Sequence, residues 1–274
     1  MTMQNSTIFN GNFSGKTAWI TGASSGIGEA LAYALANAGA TLILSARRED
    51  ELERVRSACK CAHEHKIVVV DMLDNAAVLA AADKVLKEYG APDYLFNNAG
   101  ITQRALIKDA DAAMYRKVME INYFSVVSLT QALLPAMLER GSGHIITTSS
   151  IAGLVGIPYR SAYCSSKHAI IGFMDSLRAE VHDQGLRVTT LCPGFVQTNI
   201  IETARREGTA RADVEDTVIA NGMPVDEAVR QALEAVIKEE EQVVIAEGKE
   251  KFAPLIKRLF PKLAYKIVRS AKTT

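Results

Sequence analysis

Tyr163 and Lys167 lie four residues apart, and Ser150 lies thirteen residues before the tyrosine. On a helix a four-residue spacing brings two side chains to one face. A phenol titrates near 10 in water and is a poor base at neutral pH. A neighbouring ammonium stabilises the phenolate and draws that value toward the working range. Ser150 closes a β-branched run, where a hydroxyl can hydrogen-bond a substrate oxygen. The chemistry these types suit is acid–base work at that oxygen. A lone Tyr-x-x-x-Lys occurs in many helices by chance, so its weight depends on what surrounds it.

A second set lies near the start of the chain, Thr21-Gly22-Ala23-Ser24-Ser25-Gly26-Ile27-Gly28. It follows an apolar strand-like run and opens a helix expected over Glu29–Ala38. Glycines there let the backbone turn tightly and approach a pyrophosphate, whose charge a helix N-terminus stabilises. The spacing is G-x-x-x-G-x-G, which departs from the commoner G-x-G-x-x-G. Where an NAD-binding chain usually carries an acid, the end of the next strand reads Leu44-Ser45-Ala46-Arg47-Arg48. An uncharged residue followed by arginines suits the 2′-phosphate of NADP, since guanidinium pairs bidentately with phosphate. The bland alternative is a solvated Arg pair facing Glu49, Asp50 and Glu51.

The elements that must carry these residues alternate. Strands are expected at Thr17–Thr21, Thr41–Ser45, Ile67–Asp71, Tyr94–Asn97, His144–Ser149, Arg187–Cys192 and Gln242–Ile245, with Ala-rich or Leu-rich helices such as Ala76–Tyr89 and Val225–Glu239 between them. That pattern predicts a single α/β domain, a doubly wound sheet of about seven parallel strands flanked by helices. Its borders are set at 15–248, after a flexible N-terminus over 1–14 and before a distinct segment over 249–274. Ile121–Leu138 is free of charge for 18 residues, yet its Asn, Ser, Thr, Gln and Pro residues read as a buried helix rather than a membrane span.

Composition narrows the class. The 274 residues hold 31 Lys+Arg against 31 Asp+Glu, so no whole-molecule basic field argues for nucleic acid. Four cysteines give no disulfide framework and fit a reducing, cytoplasmic setting. Met1–Phe13 contains no basic residue and no apolar block, so no secretory signal is expected.

Taken together, Thr21–Gly28, Asn97-Asn98-Ala99-Gly100, Asn122, Ser150, Tyr163-x-x-x-Lys167 and Pro193-Gly194 with Thr198 resemble the short-chain dehydrogenase/reductase family, from about Gly15 to Ile245. Ser45–Arg48 and Ile157–Tyr163 look like its NADP(H)-preferring branch, which includes hydroxysteroid dehydrogenase-like reductases. The resemblance implies a Rossmann-like fold and an NADP(H)-dependent oxidoreductase interconverting a carbonyl and a secondary alcohol. It implies that Tyr163 passes the proton, that Lys167 lowers the Tyr163 pKa and holds the nicotinamide ribose, and that Ser150 polarises the substrate oxygen. Asn122 would support a water relaying protons to Lys167. The cofactor would be held by Gly22, Ser24, Ser25, Gly26, Ile27 and Gly28, by Arg47 and Arg48, and by Asp71 at the adenine edge. Asn98, Ala99 and Gly100 would line the adenosine side, with Pro193, Gly194, Val196 and Thr198 about the nicotinamide. Relatives form dimers or tetramers through helices that correspond here to Asp111–Leu138 and Tyr163–Gln184, so a homodimer or homotetramer is implied.

Ile101, Leu106, Ile151, Leu154 and Ile157 are apolar and suit a hydrophobic ketone, aldehyde or alcohol, with Asn199–Met223 as a mobile lid. A 3-oxoacyl thioester reductase is the nearer rival; Arg104, Arg160, Arg205 and Arg206 would supply its patch for an acidic carrier. A non-catalytic NADP sensor is the more distant one. Cys59, Cys61, His63 and His65 crowd seven residues without zinc-ligand spacing and are expected in an exposed loop, with no metal site. From Lys249 to Thr274 there are eight basic residues and one acid, Glu250, with Phe252, Leu255, Ile256, Leu259, Phe260, Leu263, Ala264, Ile267 and Val268 at helical spacing. Such a segment either packs on the domain, as a cap over the substrate cleft or against a neighbouring subunit, or touches an anionic membrane surface. Pro261 should break it.

Overall fold

The computed structural model describes residues 9, 11–206, 208–210 and 217–270. Seven strands build its centre: β1 Thr17–Thr21, β2 Thr41–Ala46, β3 Lys66–Val69, β4 Tyr94–Asn97, β5 Gly143–Thr148, β6 Leu186–Pro193 and β7 Gln242–Ile245. All pair in parallel, in the order β3-β2-β1-β4-β5-β6-β7. The order reverses between β1 and β4. Open α/β sheets bind ligands beyond the carboxyl ends of the strands at such a point.

Alternation along each strand assigns the two faces. Ala18 and Ile20 of β1 join one core, with Leu31 and Leu35 of α1 (Gly26–Asn37) and Leu52 and Val55 of α2 (Glu49–Ala58). Trp19 joins the other, with Val78 and Val85 of α3 (Asn75–Tyr89) and Val118 of α4 (Ala112–Met119). Leu129 and Leu133 of α5 (Ser125–Arg140) and Ile170 and Met174 of α6 (Ser161–Val181) complete that second layer. Past β6 come α7 (Ile200–Arg206) and α8 (Thr217–Ala220), then α9 (Val225–Ile237), which adds Val229, Leu233 and Val236 to the first core.

α4 and α5 are one continuous helix from 112 to 140, interrupted by a π-turn over Glu120–Phe124. By length and composition this helix is apolar enough to cross a membrane. Here Leu129, Leu133 and Met137 bury one of its faces in the second core, as the polar residues of the stretch lead one to expect. Phe9 and Phe13 are buried in the first core, with Phe13 edge-on to Tyr94 at 5.1 Å. Packing therefore starts before residue 15, because large rings gain by leaving water. Residues 1–8 and 10 of the segment expected to be flexible lie outside the described residues, as do 207 and 211–216 of the expected lid.

The cysteine–histidine stretch departs from the exposed loop expected of it. Cys59 and His65 are buried, while Cys61 is exposed in the left-handed region. His65 Nδ1 accepts the Leu42 N–H at 3.2 Å, so its Nε2 carries the proton toward Lys60 O at 2.9 Å. The ring pins the approach to β3 onto β2. Among the described residues, no three potential ligands converge on a metal position.

His144 supplies a pH-dependent element of stability. Its ring is buried, with Nε2 2.8 Å from Thr189 Oγ1, whose proton goes to Glu240 O; the neutral Nε2–H tautomer therefore donates to Thr189. Burial lowers its pKa from 6.5 to about 4. A folded pKa below the unfolded one means that acid favours unfolding, so stability is complete above about pH 6.5 and is lost as pH falls toward 4. The shift corresponds to roughly 3 kcal/mol at 1.36 kcal/mol per unit. Denaturant titrations of wild type and His144→Gln at pH 7 and pH 4.5 should show a smaller acid-induced loss in the variant. Parallel losses would remove this role.

Candidate active site

The glycine loop is held against the end of β4 by one threonine. Thr21 Oγ1 accepts the N–H groups of Asn98 and Ala99 at 3.0 and 3.1 Å and donates to Phe96 O. Asn98 Nδ2 donates to Thr21 O at 3.2 Å, and Thr148 Oγ1 donates to Asn98 Oδ1 at 3.3 Å, which ties in β5 as well. Gly22 has φ +68°, and a Cβ there would lie 2.8 Å from Ala99 Cα. The backbone thus takes a path that only glycine allows, and α1 begins at Gly26 with its first N–H groups toward the cleft.

The cleft runs over the carboxyl ends of the strands with a volume of about 390 Å³. One end is lined by Gly22, Ser24, Ser25, Gly26 and Ile27, with Ala46, Arg47, Arg48 and Asp71 beside them. Arg48 donates to Ser24 Oγ at 3.3 Å, so one of the two arginines is tied to the glycine loop. Asn98, Ala99 and Gly100 form the floor. Ser150, Tyr163, Lys167, Pro193, Gly194, Val196 and Thr198 line the other end. Gly28 and Asn122 stand behind the wall rather than in it. Gly28 packs against Gly22 O and the Asn98 amide, and Asn122 is 1% exposed in the π-turn.

Asn122 has its side chain fully engaged. Oδ1 accepts the Ile101 N–H at 2.8 Å, while Nδ2 donates to Ile101 O and Ser166 Oγ at 2.9 and 3.0 Å. It fixes the loop after β4 to the turn of α6 that carries Lys167. π-turns often mark functional positions, and this one sets Asn122 there.

Tyr163 and Lys167 stand on successive turns of α6, with Nζ 5.7 Å from the phenol ring centre. Lys167 is buried and donates to Thr148 O at 2.8 Å. The Tyr163 hydroxyl stands beside Ser150, whose hydroxyl opposes the rise in its pKa; Ser150 Oγ donates to Pro193 O at 3.2 Å and accepts the Ala152 N–H at 3.1 Å. Ser150 has one proton and two acceptors for it. It rests on Pro193 O while the phenol keeps its own proton, and turns to the phenolate when that proton leaves.

The electrostatics differ from the sequence expectation in one respect. Burial raises the Tyr163 pKa above its usual 10, opposed first by the Ser150 hydroxyl and then by the Arg160 guanidinium. Burial also lowers Lys167 to about 8. At neutral pH the lysine still carries its charge beside the phenol ring. Arg160 adds a second cation, buried at 5% exposed with its guanidinium 5.9 Å from the Phe195 ring centre. Tyr163 is therefore a phenol throughout the neutral range, suited to giving up a proton.

This arrangement decides the family. A model of the short chain dehydrogenase family matches residues 16–209. The chain belongs to the short-chain dehydrogenase/reductase family. It is an oxidoreductase acting on CH–OH groups, on a fold that binds NAD(P). It is 39% identical over 256 residues to dehydrogenase/reductase SDR family member 7B of Mus musculus, covering 92% of this chain and 79% of that protein. A short-chain dehydrogenase/reductase of Burkholderia phymatum in complex with NAD superposes with a TM-score of 0.79 at 28% identity, covering 96% of this chain and 97% of that one. A putative NAD(P)-dependent gluconate 5-dehydrogenase of Beutenbergia cavernae with bound NADP gives 0.74 at 28% identity, over 87% and 97%.

In this short-chain dehydrogenase/reductase, Ile101, Ile151 and Ile157 reach the cleft as expected, but Leu106 and Leu154 do not. Leu106 is 38% exposed, and Leu154 offers its carbonyl to Lys257 at 2.7 Å. Glu250, Ala253 and Val268 reach the same cleft from the C-terminal segment, as a cap over it would, though the sequence singled out none of the three as a site residue. That segment forms α10 (Ala253–Leu259) and α11 (Pro261–Ser270), broken at Phe260 ahead of the proline. Arg104 and Arg160 are buried, so they form no exposed patch for an acidic carrier protein.

Proposed function

We propose that the protein is an NADP(H)-dependent carbonyl reductase acting on hydrophobic small molecules, working reversibly on the corresponding secondary alcohols. The observation that carries this is that Ser150, Tyr163 and Lys167 meet in one cleft walled by Ile101, Ile151 and Ile157 and continuous with the glycine loop. A sensor has no use for that set. The dinucleotide fits the open end: the start of α1 and the side-chain-free Gly22 suit its pyrophosphate, and Arg47 and Arg48 suit a 2′-phosphate. When bound, the nicotinamide supplies the hydride. Ser150 donates to the carbonyl oxygen and holds it beside Tyr163, which passes its proton to that oxygen. The resulting phenolate is held by Ser150 and Arg160. Lys167 holds the ribose hydroxyls and returns the proton. The Asn122 amide, engaged with Ile101 and Ser166, acts by positioning the floor of the site beside Lys167.

Initial rates with NADPH and NADH over a panel of aliphatic and aromatic carbonyls test this reading. NADPH should be preferred. Arg47→Ala should weaken NADPH by about tenfold or more, as befits a lost charge-assisted hydrogen bond of ~1.5–3 kcal/mol, and leave NADH nearly unchanged. Equal use of both cofactors by wild type would overturn the NADP assignment.

We also infer self-association through α5 and α6 as a homodimer or homotetramer, supported by Phe124, 47% exposed at the head of α5. The C-terminal segment supports peripheral contact of a cytoplasmic protein with an anionic bilayer. It docks on the domain through Ala264, Val268 and Lys257. Phe252, Leu255, Leu259, Phe260, Leu263, Tyr265 and Ile267 remain between 47% and 61% exposed among its basic residues. Apolar area with cationic flanks complements an interface of acyl chains and acidic headgroups. Wild type should co-sediment with phosphatidylserine-containing vesicles, less so at high salt, and a Leu255/Leu259/Leu263/Ile267→Ser variant should not. Failure of wild type to bind them would exclude the contact.

A further inference from the structure

Glu250 is the single acid in a segment of eight basic residues, yet among the described residues no salt bridge joins it to any of them. It sits in the short 3₁₀ turn Gly248–Phe252 ahead of α10 and faces the cleft. Its Oε2 accepts the Phe195 N–H at 3.2 Å and lies over Gly194, where a Cβ would come within 2.5 Å. Ser150 bonds the carbonyl of Pro193, two residues before Phe195, so the carboxyl and the catalytic hydroxyl are anchored on one stretch of wall. The neighbouring wall is apolar, formed by Ile151, Ala253 and Val268. Among the described residues no cation pairs with Glu250 and no charged group shifts its titration; burial raises it and the Phe195 N–H opposes that. A carboxylate has about four acceptor positions, and a desolvated one is costly until they are filled.

We propose that Glu250 is a specificity-determining residue whose uncommitted oxygen binds a hydrogen-bond donor, an ammonium or a hydroxyl, on the carbonyl substrate. The inference rests on the carbonyl-reductase reading and narrows it to apolar carbonyl compounds that carry such a donor. A carboxyl serving only to clamp the Pro193–Phe195 stretch would need one acceptor atom. Glu250→Gln keeps that acceptor for the Phe195 N–H and turns a donor toward the cleft, which separates the two roles.

The probes are acetophenones bearing aminomethyl, hydroxymethyl or ethyl at the meta or para position, near-isosteric and differing in the donor. Wild type should favour one donor probe over the ethyl probe by about tenfold in kcat/KM, carried by KM, the scale of one hydrogen bond to a charged group. Which donor wins identifies the group. In Glu250→Gln the ratio should fall to near one, with an unchanged melting temperature. Calorimetric titration of the aminomethyl and ethyl ketones in the presence of NADP⁺, which cannot reduce them, gives a second readout. No turnover of any probe, with a Glu250-dependent binding preference, would sink the catalytic reading and leave this one standing. Turnover without a preference, or a preference that survives in Glu250→Gln, would overturn the role of Glu250.

Discussion

Tyr163→Phe should lower kcat for carbonyl reduction by about 10²–10⁴, the range a positioned general acid contributes, while NADPH affinity changes by no more than a few-fold. The ring stays in place, since its carbons pack as before. Only the hydroxyl beside Ser150 is removed, and Ser150 still donates to Pro193 O. The loss should appear in kcat rather than in cofactor binding, because the proton moves only as the carbonyl is reduced. The titrations add a second signature. Burial holds Tyr163 above 10, so its ionisation does not limit reduction at moderately alkaline pH. Lys167, lowered to about 8, does titrate there. The alkaline limb of kcat/KM, which reports the free enzyme, should therefore fall near pH 8 in wild type. Rates within threefold of wild type for Tyr163→Phe, with equal cofactor affinity, would show that another group delivers the proton.

Much of this site was legible from types and spacing, for physical reasons that can be named. β1 and β4 begin and end where the apolar runs do, because central strands buried on both faces read as short uninterrupted apolar segments, and β7 at the sheet edge is bounded the same way by nearby polar residues. The helix after the glycine loop starts at Gly26, three residues ahead of its expected start at Glu29, since the Ser25 carbonyl accepts the Glu29 N–H at 3.3 Å and so draws the intervening glycine stretch into the first turn. The π-turn at Asn122 was not legible. It inserts one residue into a helical turn, and the small shift this makes in the apolar stripe is not distinctive in local sequence. Nor did the sequence distinguish the two arginine roles at the cleft. Arg160 is near Tyr163 in sequence and also looked like a surface charge; only its burial beside Phe195 makes it a counter-charge to the phenol. The C-terminal segment shows the same limit. Its helical stripe and the break at Pro261 were readable, but which members turn inward depends on a docking angle set by Lys257 and Leu154, far apart in the chain. The isolated acid in that basic run was the one local sign that part of it faces something other than water.

Gly28→Ala should both destabilise the protein and remove most of its dinucleotide affinity. Two effects oppose each other at this position. Gly28 lies within α1, where alanine is favoured over glycine by about 0.8–1.0 kcal/mol in intrinsic propensity. A Cβ would, however, stand 2.2 Å from Gly22 O and 2.6 Å from Asn98 Nδ2. Neither neighbour can step aside cheaply. Gly22 is backbone held by a left-handed φ, and the Asn98 amide donates to Thr21 O within the staple that joins β1 to β4. Overpacking of a well-filled site costs ~1–3 kcal/mol even among flexible side chains, and here the obstacle is main chain, so the steric term outweighs the propensity gain. Relief requires α1 to tilt away from Gly22 or the loop to open, and either motion moves the N–H groups at the start of α1 that would hold the pyrophosphate of a bound dinucleotide. Thermal denaturation should show a lowered midpoint, and fluorescence titration should show NADPH binding weakened at least tenfold, the equivalent of ~1.4 kcal/mol. A variant that melts at or above wild type and binds NADPH equally would mean that the loop yields to a methyl group, and the close packing of Gly28 on Gly22 would not be what shapes the cofactor site.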